Sequence, residues 1–246
     1  MDFSLPAFSW RTAGTLGGLV ALLAWETAQP YFPLFRRTRE RARHGALNLA
    51  LGALNAAVVA LAFAATWLAV THWSVAHRFG LLNVLDLSAW QRAALAVFLL
   101  DAWTYGWHWL NHRVPSFWRF HRWHHADHAM DVTTASRFHT GEIVLSSVFR
   151  VPVLALLGCT LAELALYELC LFAVVQFHHA NISLADRLDR VLRLVIVTPA
   201  LHKVHHSVVR AESDSNYSSL FSWWDRVFRT LRLVREPRKI VFGVQD

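Results

Sequence analysis

DAWTYGWHWLNHRVPSFWRFHRWHH, residues 101–125, gathers five of the 15 histidines of the chain into one stretch. His108 and His112 stand four apart; His121, His124 and His125 follow in H-x-x-H-H spacing. On a helix, residues three and four apart share a face, so each group aims its imidazoles at one point. A lone pair at this spacing is more often two satisfied or solvent-facing histidines than a metal site. Here the arrangement recurs, because His202, His205 and His206 form a second H-x-x-H-H far downstream. Imidazole is costly to bury unpaired and is the commonest side chain for binding first-row metals, so the repetition points to a metal centre.

The surroundings of these histidines are apolar. Of 246 residues, 55% are hydrophobic, with 12 Trp and 16 Phe, and the formal net charge is +7. Long uncharged runs favour one integral membrane domain over one or two soluble ones. Cys159 and Cys170 lack C-x-x-C spacing and read as two buried thiols. Positive charge is unevenly spread: five arginines crowd residues 35–44, four lie in 113–137, and eleven Lys or Arg follow Asp186, whereas 71–90 holds only Arg78. By the positive-inside rule the first three regions face the cytoplasm and the last faces away. No nucleic-acid module accompanies the basic charge, which excludes that partner class.

The N-terminal residues lack the basic region of a secretory signal and read as retained. A first span is expected over 8–28 and a second within the uncharged run 45–70. A helix over 89–112, opened by Asp86 or Ser88, would be about 35 Å long and outreach the ~30 Å hydrocarbon core. Asp101, Tyr105, His108 and His112 then form one stripe at its inner end. The Arg113-Val114-Pro115 step breaks that helix, and Ser116 is placed to cap the next. The apolar stretch 143–177 is too long for one span and short for two, which suggests a re-entrant helical hairpin. Thr198-Pro199 reads as an N-cap with proline at the first helical position, starting the helix of His202–His206. The expected fold is all-α and multi-pass: about three spanning helices plus the hairpin, with a cytoplasmic helical cap carrying the histidines. Residues 1–94 would hold the N-terminal spans, 95–232 the catalytic domain and 233–246 a basic tail. Residues 226–239 read as a solvated or headgroup-contacting basic face.

HWLNH at 108–112, HRWHH at 121–125, RFH at 137–139, HHAN at 178–181, HKVHH at 202–206, and NY followed by WDRVF at 216–228 together resemble the fatty acid hydroxylase/sterol desaturase superfamily of membrane-bound di-iron oxygenases. The resemblance covers about 95–232. It implies His108, His112, His121, His124, His125, His179, His202, His205 and His206 as metal ligands. His139 and His178 fall on looser positions, as ligands or supporting groups. Where the related pattern carries Arg, Pro and Gly, this chain has Trp109, Thr140 and Arg229.

Nine or ten neutral imidazoles exceed the capacity of one ion, so the count implies two. All-nitrogen donors suit iron with open positions for O₂, although zinc binds such sites tightly enough to substitute in a purified sample. Asp101, an acid inside a span, is expected to accept a hydrogen bond from a ligand imidazole, with Tyr105 and Asn181 also supporting the centre. Trp107, Trp109 and Trp118 are candidates for a substrate channel. The chain has no haem, dinucleotide or iron–sulfur motif, so electrons must come from a separate ferredoxin, flavodoxin or cytochrome-type donor. The expected reaction is hydroxylation of a lipid C–H bond using O₂. Desaturation on the same site and a non-catalytic metal-binding membrane protein are the alternatives. The expected location is a bacterial inner membrane, or the endoplasmic reticulum in a eukaryote.

Overall fold

The computed structural model describes residues 6–245 and is helical wherever the apolar pattern demands it. The N-terminal five residues, part of the stretch read as retained, lie outside the described residues. In chain order the long helices are α1 (Pro6–Ala28), α2 (Thr38–Ala62), α3 (Ala64–Ala76), α4 (Leu81–Val84), α5 (Ala89–Arg113) and α6 (Pro115–His125). After a 3₁₀ turn at Val132–Ser136 come α7 (Thr140–Leu157), α8 (Leu161–His179), α9 (Asp186–Leu192), α10 (Pro199–His205), α11 (Arg210–Ser213) and α12 (Trp223–Val227). Strand-type bridges, among the described residues, are limited to isolated ones at Ile196 with Phe221 and Ser207 with Phe242.

Among the described residues three helices, α2, α7 and α8, are long and apolar enough to cross a membrane by length and composition, and Ala13–Ala28 of α1 is a shorter apolar stretch. The number agrees with expectation, and the first part of the expected span over 8–28 lies outside the described side chains. Both arms of the expected hairpin extend beyond 143–177, to Thr140 and His179, and each then reaches membrane length. The expected span over 89–112 forms as α5, but Gln91, Arg92, Asp101, Asn111 and its histidines lower its hydropathy and keep it out of that set. The run 45–70 is divided by a break at Phe63 between α2 and α3.

The chain forms two compact units, whose boundaries fall within α2, α6 and α8. The first comprises Met1–Asn48, His125–Ser136 and Leu169–Asp246; the second comprises Leu49–His124 and Arg137–Glu168.

In the second unit α3 packs along α7. Trp67 donates its indole N–H to the Ser147 carbonyl (3.3 Å), and its ring lies 4.9 Å beneath the Arg150 guanidinium, which pairs with Glu168 at 2.9 Å. These charges sit in apolar helices only because each is partnered. Arg92, near the start of α5, ties that helix to the α7–α8 turn by donating to the carbonyls of Leu82 and Gly158 and pairing with Glu163 at 2.6 Å. The cap of α5 is Ser88, whose backbone N–H donates to Gln91 Oε1 at 3.0 Å. Ser116, by contrast, caps nothing. Val114 is extended (ψ 115°), as a residue before proline must be, and Pro115 itself opens α6, so the hinge is one residue long.

Two glycines meet at the α7–α8 turn. Gly158 ends α7 at φ +71°, and Gly80 ends the α3–α4 connection at φ +95°. A Cβ on Gly158 would lie 2.6 Å from the Phe79 carbonyl oxygen.

In the first unit Val132, Ala180 and Ile182 form a buried cluster packed by Leu19, Leu22, Leu23 and Phe177. Buried Glu26 accepts from the backbone N–H groups of Val132 (3.1 Å) and Asn181 (2.9 Å) and pairs with Arg41 at 2.9 Å. The C-terminal residues fold back: Val208 N–H donates to the Val241 carbonyl (2.7 Å), and buried Phe242 meets Phe32 edge-on at 5.2 Å. Both cysteines are free, Cys159 buried and Cys170 half-buried.

Gly158→Ala is expected to cost more than about 2 kcal/mol through forced contact with backbone at positive φ. Gly17→Ala, on α1 with open space around its Cβ, should change stability by no more than about 1 kcal/mol. Thermal unfolding of the two detergent-solubilised variants checks the contrast.

Candidate metal centre

The stripe expected on α5 is its buried face: Asp101, Tyr105, His108 and His112 are all buried, and so is Asn111. The Val114–Pro115 hinge sends α6 off in a new direction with His121 and His124 buried as well. In this second unit the ligand atoms of His108, His112 and His121 lie within 4.8 Å of one another. Their ring centroids stand 4.9–5.3 Å apart.

The orientation of these rings is set by acceptors behind them. His121 Nδ1 donates to Glu142 Oε1 at 3.0 Å, and His124 Nδ1 donates to the Arg137 carbonyl at 3.1 Å. A carbonyl or carboxylate can only accept, so in each neutral imidazole Nδ1 carries the proton and Nε2 keeps its lone pair. His124 is also held flat against Phe138, with centroids 4.3 Å apart and planes 10° from parallel.

The first unit repeats the device. His179 Nδ1 donates to the Val175 carbonyl (2.8 Å), one helical turn back on α8, and His205 Nδ1 donates to the Ser215 carbonyl (2.7 Å). His202 Nε2 lies 3.1 Å from His179 Nε2 and 3.1 Å from His206 Nε2. Two nitrogens bound to one ion at about 2.1 Å each stand about 3.0–3.4 Å apart, so this trio has the spacing of ligands sharing an ion. His125 and His205 offer ligand atoms within 4.8 Å of each other, and the His125 ring stacks on His206 at 4.4 Å. Burial, followed by the neighbouring imidazoles of His178, His179, His206 and His205, holds the pKa of His202 well below the ordinary value. The imidazole is therefore neutral, the form that binds metal. Neutral donors at this spacing, with lone pairs turned to a common point, fit a transition-metal ion.

The remaining histidines have other work. His139, exposed, caps α7 by accepting the Gly141 N–H at its Nδ1 (2.9 Å). His178 packs its ring 3.9 Å from His202 but lies outside the groups whose atoms converge. Nδ1 of His128 reaches the Phe242 carbonyl at 2.9 Å, and His44 Nε2 lies 2.9 Å from Asp127. His77 stacks on Trp73 at an exposed site. The side chain of buried Asn181 brackets the Phe32 backbone with two bonds of 2.9 Å. Trp107 is buried against Phe117 and Phe149, and Trp118 lies 5.0 Å from the His112 ring, whereas Trp109 is exposed and away from the buried stripe.

Three supporting residues escaped the sequence reading. Glu142 stands one turn into an apolar helix, and only its place beside His121 reveals its use; Asn111 also donates to it, at 3.5 Å. Lys203, fully buried, donates to the carbonyls of Ala180 (3.0 Å) and Ile182 (3.1 Å), fastening α10 to the end of α8. Burial lowers its pKa to about 7, against the opposing pull of Glu26 and Asp189. Asp225 accepts from Tyr217 N–H (2.8 Å), Ser218 N–H (3.1 Å) and the Thr230 hydroxyl (2.7 Å), fixing the loop whose Ser215 carbonyl orients His205. Burial raises the pKa of that carboxyl, only partly countered by these bonds.

Helices long and apolar enough to cross a membrane, together with buried histidine groups that could hold metal, define a membrane protein with a candidate metal centre. The chain belongs to the fatty acid hydroxylase family, whose model matches residues 93–230. It is 30% identical over 137 residues to an ornithine lipid hydroxylase of Rhizobium tropici, covering 56% of this chain and 40% of that protein. It is 28% identical over 155 residues to the alkylglycerol monooxygenase of Homo sapiens, 63% of this chain and 33% of that one. Against the cholesterol 25-hydroxylase of Rattus norvegicus the figures are 25% over 154 residues, 62% and 50%. The chain thus spans half or less of the length of these curated relatives. No solved structure matches it.

Glu142→Ala, which frees the His121 ring and leaves Asn111 without that acceptor, is expected to weaken metal affinity 10–100-fold. Titration of the apoprotein with Fe²⁺ or Zn²⁺, with size-exclusion behaviour as the folding check, measures it.

Proposed function

We propose that this protein is a membrane-bound di-iron oxygenase that hydroxylates a C–H bond of a lipid. The observation that carries the reading is the pair of neutral histidine sets, with four Nδ1 protons committed to backbone or carboxylate acceptors and lone pairs left for metal. His108, His112, His121, His124, His125, His179, His202, His205 and His206 are the proposed ligands. Nine imidazoles are more than one ion can take and enough for two with open positions. Iron bound there would supply O₂ activation; zinc is the expected substitute in purified samples. The residues of this chain hold the donors in place: Glu142 and the carbonyls of Arg137, Val175 and Ser215 fix the tautomers. Trp107 and Trp118 line the approach for the substrate.

In the reaction one oxygen atom enters the C–H bond to give an alcohol and the other leaves as water, consuming two electrons and two protons. Those electrons come from a separate donor of the ferredoxin, flavodoxin or cytochrome type, docked on the basic face by charge complementarity. The arginine bias supports a centre on the cytoplasmic side. Relatives named for ornithine lipid, alkylglycerol and cholesterol oxygenation support a lipid substrate of some kind.

Metal analysis after iron-supplemented expression should approach two equivalents per chain; a reproducible value of one with every histidine intact would overturn the dinuclear reading. His124→Ala and His205→Ala should each abolish conversion of lipid to a product heavier by one oxygen, with donor and O₂ supplied, while His77→Ala retains it. Unchanged product from either cluster variant would remove those histidines from the ligand set.

A further inference from the structure

An apolar surface of the first unit has no counterpart in the reaction. It is built from α9, the segment after it, and the loop leading through α12. Leu188 and Val191 project from α9, Leu194 from the segment after it, and Trp223, Val227 and Phe228 from the α12 region; all six are exposed, Val191 at 63% and Val227 at 65%. These residues are not on a slack loop. Trp223 donates its indole N–H to the Leu194 carbonyl (2.7 Å), Ser222 N–H to the Val195 carbonyl (3.1 Å), and Phe221 pairs with Ile196. Ser222 Oγ (2.7 Å) and Arg226 Nη2 (2.6 Å) both donate to the Arg193 carbonyl. The stitched backbone cannot turn these side chains inward, so they are held at the surface at the full cost of their hydration.

The rim of this surface is basic. Arg187, Arg190, Arg229 and Arg232 are exposed. The neighbouring acids are largely withdrawn: Asp189 is buried and paired with Arg193 at 3.3 Å, and Asp225 is buried among its hydrogen bonds, leaving Asp186 as the exposed acid of these segments. Aliphatic and indole groups edged by arginines match the interface of a bilayer, where apolar groups enter the acyl boundary and guanidinium groups meet phosphates.

We propose that α9, the 193–197 segment and the α12 region form a docking surface for an anionic lipid bilayer, with Leu188, Val191, Leu194 and Val227 in the acyl boundary and the arginines on the headgroups. The Val197 N–H to Leu220 carbonyl bond (3.1 Å) couples this surface to the residues that open α10, so docking holds the His202–His206 segment close to the source of its lipid. The proposal does not depend on hydroxylation and is tested without it.

The experiment uses the full chain with Cys159→Ala and Cys170→Ala, spin-labelled at Val191→Cys, Val227→Cys or, as reference, Arg210→Cys, whose side chain is 80% exposed outside the patch. Each is reconstituted in nanodiscs of phosphatidylglycerol or of phosphatidylcholine alone, with unchanged size-exclusion profile and bound metal as the folding check. Collision rates with O₂ and a water-soluble nickel chelate report immersion. Labels at 191 and 227 should favour O₂ over the chelate in phosphatidylglycerol and less so in phosphatidylcholine, with position 210 favouring the chelate in both. Chelate access at 191 or 227 equal to that at 210 overturns the proposal. So do labels immobilised and shielded from both reagents, which would mean a protein partner, and equal immersion in both lipids, which would remove the anionic headgroup.

Discussion

A neutral imidazole has one proton and one lone pair, and a buried one can serve a metal only if something else takes the proton. That constraint organises this molecule. Glu142 and the carbonyls of Arg137, Val175 and Ser215 each accept from an Nδ1, and each comes from a different place: the first turn of α7, the loop two residues before its cap, the body of α8, and the loop after α11. Each acceptor, held where it is, commits the proton of one ring to Nδ1 and leaves Nε2 with the lone pair. The packing around the histidines is therefore an arrangement of acceptors first and of apolar surface second.

The acceptors need their own support, because an unpaired carboxylate or a loose loop carbonyl at these depths would be unstable. Asp225 draws together Tyr217, Ser218 and Thr230, and Asn216 bridges the Leu201 and Arg232 carbonyls at 3.0 and 2.8 Å. Their joint effect is to hold the Ser215 carbonyl beneath His205. Lys203 does the same between α10 and the end of α8. It stays buried because two carbonyls and the Tyr31 ring, 5.7 Å away, stand in for water.

The sequence made the candidate ligands legible and left their support hidden, for a physical reason. Ligand histidines repeat at helical spacing, so His108 with His112, and His121 with His124, declare a shared face without any structure. Acceptors carry no such periodicity. Glu142 is one carboxylate at the start of an apolar helix, and three of the four fixing groups are main-chain carbonyls, which every residue has. Asp101 stands out as an acid in an apolar run, and it is buried on the helix that carries His108 and His112. The spans differ in how plainly the sequence marks them: α5 has the length to cross, yet its polar residues lower its hydropathy, while the hairpin arms gain length from ends whose polar residues read as loop.

The departures from the related pattern are explained by backbone. Arg229 stands where that pattern has glycine, and its φ is +58°, a conformation that costs a non-glycine residue about 1–2 kcal/mol. The turn survives because Thr230 and Leu231 both donate to the Asp225 carbonyl, at 2.8 and 3.0 Å, so the strain is carried by the scaffold around it. Thr140 stands where the pattern has proline, and it is the first residue of α7, the one helical position that proline tolerates; here its hydroxyl donates instead to Asn55 at 2.9 Å. Trp109 replaces an arginine on the exposed side of α5. Each change falls where a turn, a helix start or a surface permits it, and none alters a nitrogen donor or the group that fixes its proton.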